Sequence, residues 1–202
     1  MIDRAEAERS LTGAWRLFLN RPDALRFLDA SADGFWRSFR AIVLVAPLYA
    51  LTALADRHDI LSDSVPDDTF SNGAFILAKL LTLCIDWVTL PILLGLMADL
   101  IGIRRGYPAY VVARNWGTVL MVVPFAAIGL LDFLGIIGPS LLFLPSIVAL
   151  AAGLRFSYLV ARRTLAVGMD VAIGLVALDF LVSLAILTVI DQIFAIPSFA
   201  GQ

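Results

Sequence analysis

The sequence predicts an all-α, polytopic membrane protein: a bundle of five transmembrane helices with an N-terminal amphipathic helical segment on the cytoplasmic face. The first observation is composition, since the 202 residues are 60% hydrophobic and the mean hydropathy of +0.91 is typical of membrane proteins. The second is that the apolar residues fall into five uninterrupted stretches, each long enough to cross the ~30 Å hydrocarbon layer as a helix. These stretches are 38–55, 74–100, 110–131, 139–160 and 168–190.

Positive charge lies in alternate gaps between these stretches. Thirteen of the fifteen Lys and Arg residues lie in 1–40, 101–114 or 155–167. The gap 56–73 carries Arg57 against five aspartates, and 132–139 has no positive charge. Because cytoplasmic loops collect Lys and Arg, we expect the N-terminus inside and the C-terminus outside. One Lys against fourteen Arg suggests a bacterial gene, so the expected location is the bacterial inner membrane.

The charge pattern divides the chain into three parts: an N-terminal cytoplasmic segment 1–36, the five-helix domain 37–193 and a short outer tail 194–202. Four side chains recur at helical spacing near the start: Leu11, Ala14, Trp15 and Phe18. Such a stripe beside arginines predicts a helix over residues 5–19. Arg21-Pro22-Asp23 is expected to break this helix and to restart it, with Leu25 and Leu28 on the continued apolar stripe. We expect residues 5–30 to be helical apart from this break and to be held at the inner interface. Either the headgroup layer or the cytoplasmic end of the bundle could receive its apolar face.

Two aspartates are expected near the middle of the bilayer, Asp86 in the second stretch and Asp179 in the fifth. A carboxylate at that depth is costly, so each should face the bundle and find a partner. At 100° per residue, one face of the second helix carries Lys79, Thr82, Asp86 and Thr89. One face of the fifth carries Gly168, Ala172, Asp179 and Ser183. We expect these two faces to meet or to line one cavity.

Three roles for the two aspartates stay open. They hold helices together by hydrogen bonds, or they share a proton or cation, or they form a gate in which Lys79 or Arg155 pairs with one of them in one state. The candidate intramembrane polar or ion site comprises Asp86, Asp179, Lys79, Thr82, Thr89 and Ser183. Arg114 could pair with Asp99, since both flank the same inner loop, but an interfacial pair contributes little.

A second group of residues is expected at the lipid headgroups, because Trp and Arg collect at membrane interfaces. Its members are Trp15, Arg16, Phe18, Trp36, Arg104, Arg105, Arg162 and Arg163. The sequence has no catalytic motif, and His58 and Cys84 are the sole residues of their types. We therefore expect no enzyme activity, no metal, no cofactor and no nucleic-acid partner.

The layout resembles the Yip family of five-span, Ypt- and Rab-interacting membrane proteins, in particular its bacterial branch. The segments that carry the resemblance are GAWRLFLNRPDALRFLD, GFWRSF, RRGYPAYVVARNW and GLRFSYLVARRTLAVGMDVAIGLVALDFLV. The Asp-Leu-Tyr-Gly-Pro signature of eukaryotic members is absent. The resemblance implies a five-helix domain with a cytoplasmic N-terminus, no enzymatic activity and a role in organising membranes.

Two functions follow as hypotheses. The first is a non-enzymatic, Yip-like protein that organises or scaffolds membrane proteins or lipids, with lipids, another membrane protein or a second copy of the chain as partners. The second is a small transporter or channel for protons, cations or a small solute that uses Asp86 and Asp179. The geometry of the two aspartates separates these hypotheses: convergence on a polar cavity favours transport, and dry apolar packing favours scaffolding.

Overall fold

The computed structural model describes residues 3–62, 70–137 and 139–197. In these ranges all regular structure is helical, with two 3₁₀ turns at Ala24–Phe27 and Phe39–Ala41. The seven α-helices are α1 (Arg4–Phe18), α2 (Ala32–Ser38), α3 (Ile42–Ser62), α4 (Asn72–Met97), α5 (Tyr107–Phe133), α6 (Pro139–Leu165) and α7 (Met169–Ile193). The predicted all-α class is confirmed.

Five helical stretches are long and apolar enough to cross a membrane, as predicted: Ala32–Ser62, Asn72–Met97, Tyr107–Phe133, Leu141–Leu165 and Met169–Ile193. Their bounds differ from the apolar stretches. α3 continues to Ser62, α5 begins at Tyr107 and α6 ends at Leu165, in segments that the sequence assigned to loops. The reason is that hydropathy marks only the apolar part of a helix. Backbone hydrogen bonding continues through charged turns, and Arg is a good helix former.

The bundle is built around α5. α3 packs on one side of α5 and α6 on another, while α1 and α2 also contact it. α4 packs mainly on α7, and α7 also packs on α6. α4 and α7 therefore form a pair that has little direct backbone contact with α5. We call the end of the bundle with Arg104, Arg105, Arg162 and Arg163 the arginine-rich end.

The N-terminal segment is a folded layer with one interruption. α1 ends at Phe18, and Asn20 has a positive φ of 57°, in agreement with the predicted helix over 5–19 and the predicted break at Arg21-Pro22-Asp23. After the break the chain forms the short 3₁₀ turn Ala24–Phe27 where a restarted helix was expected. Asn favours this left-handed conformation more than most residues. Pro22 follows at once and cannot supply a helical N–H.

Polar contacts tie this layer together. Arg37 Nε lies 3.0 Å from Glu6 Oε1, and Arg37 Nη2 lies 2.6 Å from Asp29 Oδ2. Hydrogen bonds from Ser31, together with the Arg37 charge, hold the pKa of Asp29 below its usual value. The buried Asn115 amide of α5 donates to the Ser38 hydroxyl of α2 over 3.0 Å. These bonds fix the layer against the arginine-rich half of α5.

The α5–α6 contact depends on a glycine. A Cβ atom on Gly117 would lie 2.1 Å from Cε1 of the buried Phe156. We expect Gly117→Ala to lower the free energy of unfolding by about 1–3 kcal/mol, because the ring and its helix must shift. Thermal unfolding in detergent measures this change.

Gly174 on α7 supplies the matched control. No atom lies within 4 Å of the Cβ position at Gly174. Gly174→Ala should therefore leave stability unchanged or raise it, since Ala is the better helix former. Equal effects of the two substitutions would contradict the close α5–α6 approach.

Candidate functional site: a charged triad between α4, α5 and α7

Three charged side chains from three different helices converge inside the bundle. Asp86 lies eleven residues before the end of α4, Arg114 seven residues after the start of α5, and Asp179 ten residues after the start of α7. At ~1.5 Å per residue they lie roughly 16, 10 and 15 Å along their helices from the arginine-rich end. The longer Arg side chain makes up the difference in depth. We call Asp86, Arg114 and Asp179 the charged triad.

Arg114 lies between the two carboxylates. Its Nη2 donates to Asp179 Oδ1 over 3.2 Å and lies 3.9 Å from Asp86 Oδ2. The other Asp86 oxygen accepts a 2.5 Å hydrogen bond from the Ser183 hydroxyl. The guanidinium is thus hydrogen-bonded to one carboxylate and within ion-pair range of the other. The α4 and α7 faces that carry the two aspartates meet at Asp86 and Ser183.

The triad is unbalanced in charge. Its side chains are 34% (Asp86), 13% (Arg114) and 20% (Asp179) exposed, and Arg114 Nε is buried with no hydrogen-bond partner. One guanidinium cannot neutralise two ionised carboxylates, so one negative charge is left over. An unbalanced charge is costly in apolar surroundings. A proton on one carboxylate, or a bound cation, would restore neutrality.

One cavity is lined in part by triad residues, and a second lies further along α4 and α7. The first, of about 120 Å³, lies between α5, α6 and α7 and includes Arg114, Thr118, Ser157 and Asp179 in its lining. We call it the triad cavity. The second, of about 350 Å³, lies between α3, α4 and α7, further from the arginine-rich end. Its polar lining residues are Asp56, Lys79, Thr188, Asp191 and Gln192. We call it the distal cavity.

Thr82 lies between the distal cavity and the triad. It is one turn from both Lys79 and Asp86 on α4. Its hydroxyl oxygen is buried and has no hydrogen-bond partner in the part of the chain that the structure describes. A buried, unsatisfied hydroxyl is uncommon and destabilising. Thr82 therefore places a polar group at the contact between α4 and α7 (the α4–α7 seam), between the distal cavity and Asp86.

The expected partners of the other candidate ion-site residues need correction. Lys79 Nζ bonds Asp56 Oδ2 over 2.7 Å, so it does not pair with either triad aspartate. Asp56 is close because α3 continues past the predicted end of the first stretch. The Thr89 hydroxyl donates to the Ile85 carbonyl of its own helix, and so takes no part in the triad.

Two arginine pairings that the sequence left open are not formed in this structure. Arg155 donates to the Phe18 carbonyl over 2.8 Å and not to an aspartate. Asp99 pairs with Arg104 over 3.1 Å and not with Arg114. α5 starts seven residues before Arg114 and carries it away from the loop that holds Asp99.

The residues expected at lipid headgroups lie at or near the arginine-rich end. Trp15 and Trp36 are 51% and 71% exposed, and Trp15 stacks on Phe18. The arginines of this group have mixed partners: Arg16 pairs with Asp23, Arg104 with Asp99, Arg162 with the Val167 carbonyl and Arg163 with the Asn20 amide oxygen, while Arg105 is exposed.

Arg114 is the member of the triad that the sequence analysis missed. It was counted among the charges of the loop 101–114, because the apolar stretch begins near 110. The useful signal was Pro108, since Pro is favoured in the first turn of a helix. A helix that starts at Tyr107 places Arg114 two turns inside. Tyr110, Arg114 and Thr118 then share one face.

Comparisons of the chain with models of protein families, with curated proteins and with solved structures find no match. The Yip-like resemblance therefore remains a proposal.

Proposed function

We propose that this chain is a multi-pass protein of a bacterial inner membrane that carries protons or small cations across it, with the charged triad as the exchanging site. The observation that carries the proposal is the position of Arg114 between carboxylates of two different helices. In this proposal the arginine-rich end faces the cytoplasm, as the positive-inside rule requires. Ionisable groups at this depth commonly mark ion pathways and proton relays.

The proposed cycle keeps the triad neutral except between the release of one proton and the entry of the next. A proton enters from the distal side and protonates Asp86, while Arg114 pairs with ionised Asp179. The proton then passes from Asp86 to Asp179, and Arg114 changes partner to the newly ionised Asp86. Asp179 releases the proton into the triad cavity, and the next proton enters at Asp86. Arg114 stays charged throughout, because a guanidinium does not lose its proton in proteins.

The packing supports a change of partner. α4 and α7 pack chiefly on each other and on α6, whereas α5 is held by α1, α2, α3 and α6. The Arg114 side chain therefore links α5 to the α4–α7 pair, which is also joined to α5 by the hydrogen bond from the Tyr107 hydroxyl to the Pro91 carbonyl. A small displacement of that pair would exchange the 3.2 Å and 3.9 Å contacts. Interconversion between two such arrangements is what a coupled carrier requires.

Flux through liposomes tests the proposal. The purified protein should pass protons, sodium or potassium down an imposed gradient faster than empty liposomes do. Asp86→Asn and Asp179→Asn should each lower this flux by about 100-fold or more, because an amide cannot exchange the proton. Asp99→Asn is the control, since Asp99 is exposed and pairs with Arg104 outside the triad.

Two results would reject transport at the triad. One is the absence of flux of all three ions in the unmodified protein. The other is full flux in either triad variant.

A second function, the organisation of lipids or membrane proteins, is favoured by a separate observation. Arg155, Arg162 and Arg163 of α6 bond neutral oxygens and have no ion pair among the described residues. Their charge is left to attract anionic lipid headgroups or an acidic partner surface. A protein that shows no flux but loses bound phosphatidylglycerol when Arg162 and Arg163 become Gln would support this function in place of transport.

A further inference from the structure

We propose that the distal cavity is a binding site for a small organic cation, such as a primary ammonium with a short alkyl chain. Its use as the entry site for a transported substrate rests on the function proposed above, but binding itself does not. The cavity measures about 350 Å³, which falls within the size range of small-molecule pockets.

The charges of the cavity favour a cation. Asp56, Lys79 and Asp191 all line it. Lys79 is already bonded to Asp56 over 2.7 Å and lies 5.4 Å from the centre of the Phe75 ring. Lys79 and Asp56 neutralise each other, so the charge of Asp191 is left over. The cavity is thus acidic by one unit when all three groups are ionised.

Asp191 also has a hydrogen-bonding position to fill. Its Oδ1 atom is buried and has no hydrogen-bond partner among the described residues. Leaving such an acceptor unsatisfied is costly, and a charged donor would remove the cost. An ammonium group supplies both the positive charge and the donor. The neighbouring Thr188 hydroxyl cannot do so, because it donates to the Leu184 carbonyl over 2.9 Å.

The remaining walls point to an organic ligand and not to a bare metal ion. Half of the lining residues are apolar: Ile60, Leu184, Leu187, Ile196 and Pro197. The described residues contain no group of three or more His, Cys, Asp or Glu side chains that could hold a metal. A short alkyl chain would fill the apolar part, while the ammonium lies at Asp191. This division of polar and apolar contacts is usual for small-molecule sites.

The site lies next to the proposed exchange pathway. Lys79, Thr82 and Asp86 follow one another at one-turn spacing along α4. Thr82 carries the buried, unsatisfied hydroxyl between the cavity and the triad. A cation bound at Asp191 therefore lies at the distal end of the same seam. Exchange of this bound cation against protons would couple the distal cavity to the charged triad.

Calorimetric titration of the purified protein with butylammonium tests the inference. We expect saturable binding of butylammonium and none of butanol or butyrate at the same concentrations. Asp191→Asn should weaken binding by about tenfold or more, as the loss of one charge-assisted hydrogen bond would. Asp170→Asn is the matched control on α7, since Asp170 lies exposed in the first turn, far from the cavity.

A second variant tests the position of the site without a change of charge. Leu187→Trp should fill the cavity and abolish butylammonium binding. Equal binding of butylammonium and butanol would overturn the inference. So would unchanged binding in Asp191→Asn or in Leu187→Trp.

The butylammonium titration tests the distal site, and the flux assay tests the triad, so either proposal can be rejected without the other. Binding that survives in Asp179→Asn supports the distal site even when that variant carries no flux. Flux without any butylammonium binding would overturn the distal site and leave the triad proposal standing.

Discussion

Replacing Arg114 with Gln is expected to lower the free energy of unfolding by about 3 kcal/mol, because removing one partner of a buried ion pair leaves the others uncompensated. In this variant Asp86 and Asp179 would face each other across the seam without a positive charge. Ser183 could still bond Asp86, but a hydroxyl does not neutralise a carboxylate. Circular dichroism during titration with a denaturing detergent measures the change.

Arg104→Gln is the control for this prediction. Arg104 also pairs with an aspartate, Asp99, but the side chains of that pair are 81% and 76% exposed. Exposed pairs contribute little to stability, because water and salt screen them. Arg104→Gln should therefore leave unfolding unchanged. Similar effects of the two substitutions would mean that the triad lies in water.

The number of membrane-length helices could be predicted from the sequence because each helix carries its own apolar stretch. The ends of α3 and α6 could not, because charged turns continue a helix without raising its hydropathy. Ser62 and Leu165 lie beyond the predicted spans for this reason. The interruption after α1 could be predicted from Pro22. Its placement at Asn20 depends on a single backbone conformation, which a helical stripe of apolar side chains does not indicate.

Only some of the residues of the candidate site could be predicted from the sequence. Asp86, Asp179 and Ser183 were found because carboxylates in apolar stretches are conspicuous and helical spacing gives their faces. Their cationic partner was missed because positive charge near a span was interpreted as a topology signal. Lys79 was assigned to the same site, but Asp56 captures it from the neighbouring helix. Pairing between helices depends on which helices adjoin, and hydropathy contains no information on that.

The largest non-additive effect is expected when both triad aspartates are replaced. Asp86→Asn or Asp179→Asn alone should change stability little, because Arg114 keeps one carboxylate and the excess negative charge is removed. The double variant leaves the guanidinium with amides only. We expect it to lose about 3 kcal/mol more than the two single variants together. Denaturing-detergent titrations of the unmodified protein, the two single variants and the double variant complete this double-mutant cycle.

A third substitution identifies the cause of that loss. Adding Arg114→Gln to the double variant removes the unpaired charge, so most of the lost stability should return, although two substitutions have become three. Additive losses without recovery would show that the three side chains contribute shape and not charge balance. The stability and ion flux of Asp86→Asn and Asp179→Asn then show whether the carboxylates are needed for exchange. If a single Asp→Asn variant keeps its stability but no longer passes ions, the carboxylate is needed for exchange. Arg114 still has a partner in such a variant, and the helices are still held together.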